Sequence, residues 1–177
     1  MSLGVLKIRL FGDPCLREKS KPVKEVGPVE RMLITAMFET VKAHKGIGLA
    51  APQVGINEQI FVIDTGEEVL AVVNPKILKT TGHDDTEEGC LSIPDFYVNV
   101  KRAKVIEVEF TDENNHCVHA KLSGLPARVF QHETDHLLGK LIVDYLPPAE
   151  QKKILKSIKD GSYAGKAKDH AVGAGKI

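Results

Sequence analysis

The stretch Leu125–Gly139, LPARVFQHETDHLLG, decides how this chain is read. Its apolar spacing predicts a helix from Leu125 to Leu138, with Ser123 or Gly124 at the N-cap, Pro126 in the first turn and Gly139 just past the end. Residues four apart on a helix lie one above the other. His132 and His136 can therefore present two imidazoles to one metal ion, and Glu133 comes from the same turn, near a water on that ion. Leu125, Val129, His132 and His136 share one face, at spacings of four, three and four. An apolar stripe running into two histidines suits a metal site floored by a hydrophobic pocket. The plainer alternatives are a core stripe that ends in polar residues and a helix with two surface histidines.

A catalytic ion needs a third protein ligand and an open position. Downstream, Asp144, Glu150, Asp160, Asp169 and His170 sit in no helical or Gly-turn context that would present them. Upstream stands Glu87-Glu88-Gly89-Cys90-Leu91-Ser92-Ile93-Pro94. A cysteine after Gly, opening an extended segment, is free to bend toward a metal, although most such cysteines are buried apolar residues. A third segment, Gly46-Ile47-Gly48-Leu49-Ala50-Ala51-Pro52-Gln53, is too rich in small apolar residues for a solvated linker and reads as a loop that another backbone approaches closely. A phosphate loop is its rival, but no Lys-Ser/Thr follows.

The remaining elements set the fold class. Leu33, Ala36, Met37 and Val41 predict a helix over Glu30 to Lys45, stopped by Gly46. Gln59–Asp64 and Val69–Val73 read as strands, the second closed by Asn74-Pro75. Asp84 to Glu88 reads as an acidic, solvated stretch. Ile106, Val108 and Phe110 alternate with acids, and Val118, Ala120 and Leu122 alternate with polar residues, so these segments form a hairpin. Glu150 to Asp160 suggests a last helix. The whole predicts an α+β fold with mixed or antiparallel sheets packed around a central helix that carries the histidine motif. Residues 1–160 are expected as one catalytic domain and 161–177 as a mobile tail.

With 177 residues, 24 Lys+Arg against 24 Asp+Glu and 42% hydrophobic content, the chain has an ordinary soluble composition. Charge balance argues against a surface devoted to nucleic acid or anionic lipid. No apolar run approaches the ~20 residues of a membrane span, and the start has no signal-peptide core, so a cytoplasmic location is expected. Three cysteines are not a disulfide framework.

Taken in order, the three segments resemble the peptide deformylases. That family's Gly-x-Gly-x-Ala-Ala-x-Gln is matched by Gly46 to Gln53, its Glu-Gly-Cys-Leu-Ser by Glu88 to Ser92, and its Gln-His-Glu-x-x-His by Gln131 to His136. The two departures are minor: Pro126 early in the helix, and Asn115 where the hairpin turn often carries Gly. The resemblance implies hydrolysis of the N-formyl group from the formylmethionine of newly made polypeptides, with release of formate. Cys90, His132 and His136 would hold one divalent ion, which lowers the pKa of its water from 15.7 to about 7. The resulting metal-bound hydroxide would attack the formyl carbon. Glu133 would act as general base and then acid, and the Gln53 amide and Leu91 N–H would stabilise the oxyanion. Fe2+ is the implied ion in the cell, with Zn2+, Ni2+ or Co2+ replacing it during purification.

Substrate recognition is expected from Leu125 and Val129 on one side of an apolar pocket and Ile47 and Leu49 on another, with the peptide extended beside Gly46–Gly48. Glu88, Arg102 and Asp135 are read as orienters of the ligands, with a surface ion pair as the alternative. Seven Lys and three acids from Glu150 to Ile177 leave that end at net +4. This offers a transient ribosome contact through the basic C-terminal helix, against the plainer reading of a solvated face. Neither membrane binding nor sequence-specific nucleic-acid binding is expected. His116 and His119 flank Cys117 like a second metal site, but residues three apart on a strand point to opposite faces. The rivals are a zincin-type peptidase, which needs a downstream ligand, a binding module with a structural ion, and an inactive relative.

Overall fold

In a computed structural model, residues 4–160 are described. Among the described residues, seven strands and three α-helices form an α+β fold. Strands β1 (Gly48–Ala50), β2 (Ile60–Asp64), β3 (Val69–Thr81), β6 (Val105–Thr111) and β7 (Cys117–Ser123) make an antiparallel sheet in the order β1-β2-β3-β6-β7. Strands β4 (Asp84–Cys90) and β5 (Ile93–Arg102) form a separate antiparallel pair. Helix α1 spans Pro28–Ala43, α2 Gly124–Leu137 and α3 Pro148–Lys159.

The larger sheet is sandwiched between two helices. Strand β2 reads as a near-continuous apolar run because both its faces are covered. Ile60 and Val62 pack with Leu33, Ile34, Met37 and Val41 of α1. Phe61 and Ile63 pack with Ala127, Val129 and Phe130 of α2. Strand β6 is covered on one face only, so Ile106, Val108 and Phe110 alternate with half-exposed residues. A third core seats the β4–β5 pair on Leu16, Leu141, Ile142 and Val143.

Four expectations need correction. Helix α1 runs Pro28–Ala43, two residues earlier than expected at each end: His44 caps it, Lys45 takes the left-handed turn at φ 54°, and Gly46 N–H closes the last turn on Val41 O at 2.9 Å. The Gly46–Gln53 segment is not all loop, since it contains β1 and a 3-10 turn at Ala51–Val54. Strand β3 runs through Asn74-Pro75 to Thr81 by way of a register shift between Val73 and Lys76, where the missing proline N–H costs no ladder bond. Asn74, at φ 52°, is held there by its amide, which accepts from Val23 N–H at 2.9 Å and donates to Val23 O at 2.7 Å. Finally, Asp84–Glu88 belongs to strand β4: it is exposed as expected at Asp84 and Asp85, but Glu88 is buried, and the extended segment after Cys90 is its partner β5. Asn115 in the β6–β7 turn sits at φ 65°, and its side chain accepts from Val26 N–H at 2.8 Å, which explains an amide where Gly would also fit.

Candidate metal centre

Helix α2 and the end of β4 meet at one point. Cys90 is the last residue of β4, and Leu91-Ser92 turn the chain into β5. The backbone N–H groups of Ser92 and Ile93 act on the Cys90 sulfur to favour the thiolate. Cys90 Sγ lies 3.4 Å from His136 Nε2, which lies 3.2 Å from His132 Nε2. All three residues are buried, and their donor atoms fall within 4.8 Å of one another.

The donor set fits a tetrahedral divalent ion. Metal–sulfur and metal–nitrogen bonds of about 2.3 and 2.1 Å at tetrahedral angles put sulfur and nitrogen about 3.6 Å apart and two nitrogens about 3.4 Å apart. The observed spacings are close to both. His132 Nδ1–H donates to Glu88 Oε2 at 3.0 Å, which leaves its Nε2 lone pair facing His136 Nε2. The His136 Nδ1 has no partner among the described residues, so its ring is free to carry the proton there and offer a second Nε2 lone pair to a shared cation. Burial pushes the Cys90 thiol up to about 12, so a thiolate there also needs a cation beside it.

Glu133, one residue after the first histidine, is fully buried, and neither carboxylate oxygen has a partner among the described residues. Burial, reinforced by the charge on Glu88, raises its pKa well above the usual carboxylate range. Space for this carboxylate comes from Gly48 on β1. A Cβ at that position would collide with Glu133 Oε1 and come within 2.7 Å of Val129 Cγ1.

Gln53 is buried on the 3-10 turn and its orientation is settled by its partners. Its Oε1 accepts from Ala50 N–H at 2.8 Å, which turns Nε2 toward Ser92 Oγ at 3.2 Å and Cys90 Sγ at 3.6 Å. A side-chain donor therefore faces the cysteine ligand.

Behind the histidines lies a charged network that sequence reasoning only partly anticipated. Arg102 grips Glu88 in a two-pronged pair at 3.0 and 2.9 Å and reaches Asp135 at 2.6 Å and Tyr145 Oη at 2.8 Å. Arg128 donates to Glu88 Oε1 at 2.7 Å and to Val100 O at 2.9 Å. Burial alone would raise the Glu88 pKa, but the His132 and Arg102 hydrogen bonds overcome it and hold the carboxyl down to about 2. The surface ion-pair alternative is thus wrong for Glu88 and Arg102, which are 1% and 5% exposed. Arg128 and Tyr145 were missed. For Arg128 a signal existed: it precedes His132 by four residues on α2. Gln131 ties the helix to the chain before β6, bonding both backbone groups of Ala103 at 3.0 Å.

The other expected residues are distributed around this centre. Val129 is fully buried against the sheet, while Leu125 is 43% exposed one turn earlier. Ile47 is half-buried against the same core, and Gly46 N–H closes the end of α1 on Val41 O. Leu91 occupies the β4–β5 turn beside Cys90. Leu49 departs from the reading: strand alternation sends its side chain to the α1 face, where it is fully buried among Met37, Ile60 and Val62. It is no wall of a pocket on the α2 side.

A profile of the polypeptide deformylase family matches residues 5–152. The peptide deformylase of Thermotoga neapolitana is 43% identical over 155 residues, covering 87% of this chain and 94% of its own. Among solved structures, peptide deformylase from Thermotoga maritima gives a TM-score of 0.79 at 45% identity, over 81% of this chain and 99% of that one. Peptide deformylase from Synechococcus elongatus, in complex with actinonin, gives 0.81 at 40% identity, over 91% and 88%.

Proposed function

The chain belongs to the polypeptide deformylase family, hydrolases that remove the N-formyl group from nascent peptides, and we propose that Glu133 performs the proton transfers of that reaction beside an ion held by Cys90, His132 and His136. The observation that supports it is the convergence of three buried donor atoms next to a buried carboxylate that has no partner among the described residues. When bound, a divalent ion supplies Lewis acidity, polarising the formyl carbonyl and acidifying water.

The chain's own groups do the rest. Glu133, with its raised pKa, takes a proton from the attacking water and returns it to the leaving amine, which departs poorly as an anion. The Gln53 Nε2 hydrogens, aimed by the Ala50 N–H, and the Leu91 N–H stabilise the carbonyl oxygen as it becomes negative. Losing one such donor typically costs about 100- to 1,000-fold in rate. Strand β1 is a sheet edge, so Gly46–Gly48 can pair with an extended peptide as an added strand. Ile47, Leu125 and Val129 supply apolar surface for the methionine side chain.

The same reading covers location and metal. The enzyme works in the cytoplasm on N-formylmethionyl nascent chains, with residues 1–160 as its catalytic unit. No described helix is long and apolar enough to cross a membrane. Thiolate with imidazole suits Fe2+ or Zn2+. We take Fe2+ as the ion in the cell, with Zn2+, Ni2+ or Co2+ entering on purification. Anaerobically prepared enzyme holding zinc alone at full activity would overturn this. The lysines of α3 are the proposed ribosome contact, and ribosome sedimentation with the Lys152, Lys153 and Lys156 charges removed tests it.

The main experiment is formate release from a formyl-methionyl peptide. Glu133→Ala should abolish release while metal content stays at one equivalent, and Cys90→Ser should lose the metal. Release unchanged in Glu133→Ala would sink the assignment.

A further inference from the structure

On the solvent face of the larger sheet, away from the catalytic centre, three different metal-binding side chains meet. Strand pairing sets Glu109 of β6 directly opposite His119 of β7, and Thr111 opposite Cys117. Cys117 and His119 are two apart, so they share the outward face. Cys117 Sγ is 3.7 Å from His119 Nε2, and His119 Nε2 is 3.6 Å from Glu109 Oε2. All three ligand atoms lie within 4.8 Å of one another. His116 has no part in this group: it precedes β7 and pairs with Asp112. The cluster is therefore cysteine, histidine and a cross-strand glutamate, rather than two histidines flanking a cysteine.

We propose that Glu109, Cys117 and His119 form a second site, on the enzyme's surface, for a thiophilic divalent metal ion of the zinc class. The donors are a carboxylate oxygen, a sulfur and an imidazole nitrogen, a set used by zinc. A thiolate and a carboxylate together balance the charge of a divalent ion. Glu109 is already oriented for it. Its Oε1 accepts from Lys76 Nζ at 2.7 Å, which fixes the carboxylate and leaves Oε2 turned toward His119. The lysine here plays the part that outer partners play around buried sites. Three protein ligands with an exposed fourth side leave room for water or for a donor from another molecule. The neighbouring hollow, lined by Leu78, Glu107, Val108, His119, Ala120 and Lys121, gives such a donor a place to lie.

The test uses enzyme first loaded with one equivalent of Zn2+ and then titrated with Co2+. The site predicts a further equivalent with a thiolate-to-cobalt charge-transfer band. It also predicts that the added ion slows alkylation of Cys117, the exposed cysteine among the three. Cys117→Ser should remove the band, and His119→Ala should weaken the added equivalent at least tenfold. Formate release should be unchanged in both, because neither side chain approaches the catalytic centre. Both residues are exposed on the sheet, and unchanged melting temperatures certify the variants as folded. No further equivalent, or one retained undiminished in the doubly substituted protein, overturns the site.

Discussion

At the scale of single residues, small differences in surroundings divide like groups into different chemistries. Glu88 and Glu133 are both buried carboxyls on the same site, yet partners hold one low while isolation drives the other up. The isolation of Glu133 depends on the missing side chain at Gly48. Gly48→Ala should therefore cut kcat by about 10- to 100-fold with metal content unchanged, since displacing a reacting group by an ångström has effects of that size. A variant with full kcat would show that the carboxylate has other room. The cysteines divide in the same way. Burial and the neighbouring Asp13 carboxylate push the Cys15 thiol up to about 11, and its S–H donates to Pro52 O at 3.4 Å. At pH 8 Cys15 is almost wholly thiol. Mass-spectrometric mapping should find exposed Cys117 alkylated first, with Cys15 gaining about tenfold in rate per pH unit until pH approaches 11.

Among elements, α2 and the β4–β5 pair are joined by charge as well as by apolar packing. Glu88 of β4 is the shared partner of Arg102 on β5 and of Arg128 and His132 on α2. Glu88→Gln leaves two buried guanidiniums without that countercharge. Removing one partner of a buried pair costs about 3–5 kcal/mol. For a chain of this size that lowers Tm by roughly 6–20 °C, and a thermal melt of the metal-free protein reads it directly. A change under 2 °C would mean that Asp135 and backbone carbonyls suffice to hold the arginines. These same elements mark how far the sequence could be read. Helix α2 and the β6–β7 hairpin were legible because one period dominates each, and β2 because its apolar run is nearly unbroken. Strand β4 was not, since its acids look solvated until β5 and two arginines bury Glu88. Strand β5 carried a readable signal, since Phe96, Val98 and Val100 alternate with polar or half-buried residues; only residues 94–96, which bulge between Ile93 and Tyr97, break the pattern. The three ligands and Glu133 stood in the motifs. Arg128 had only its place one turn before His132 to mark it, and Tyr145 is recruited by tertiary contact alone, which no local spacing records.

For the molecule as a whole, the centre joins parts that otherwise have separate cores. Cys90 belongs to the core of the small sheet, while α2 packs on the large one. Binding an ion to the folded state alone adds about 2.7 kcal/mol at a hundredfold excess over Kd. Chelation should accordingly lower the melting temperature. It should also raise amide exchange in β4 and the second half of α2 while leaving α1 unchanged. Uniform exchange across all three would show that the ion is not what couples them. The path of the chain through this centre also matters before folding is complete. The sulfur and the second imidazole are 46 residues apart. At synthesis rates of about 5–20 residues per second, the thiol emerges from the ribosome about 2–9 s before its last nitrogen companion does. During that interval it is an ordinary free thiol open to oxidants, so oxidative damage to this protein should fall hardest on chains still being made.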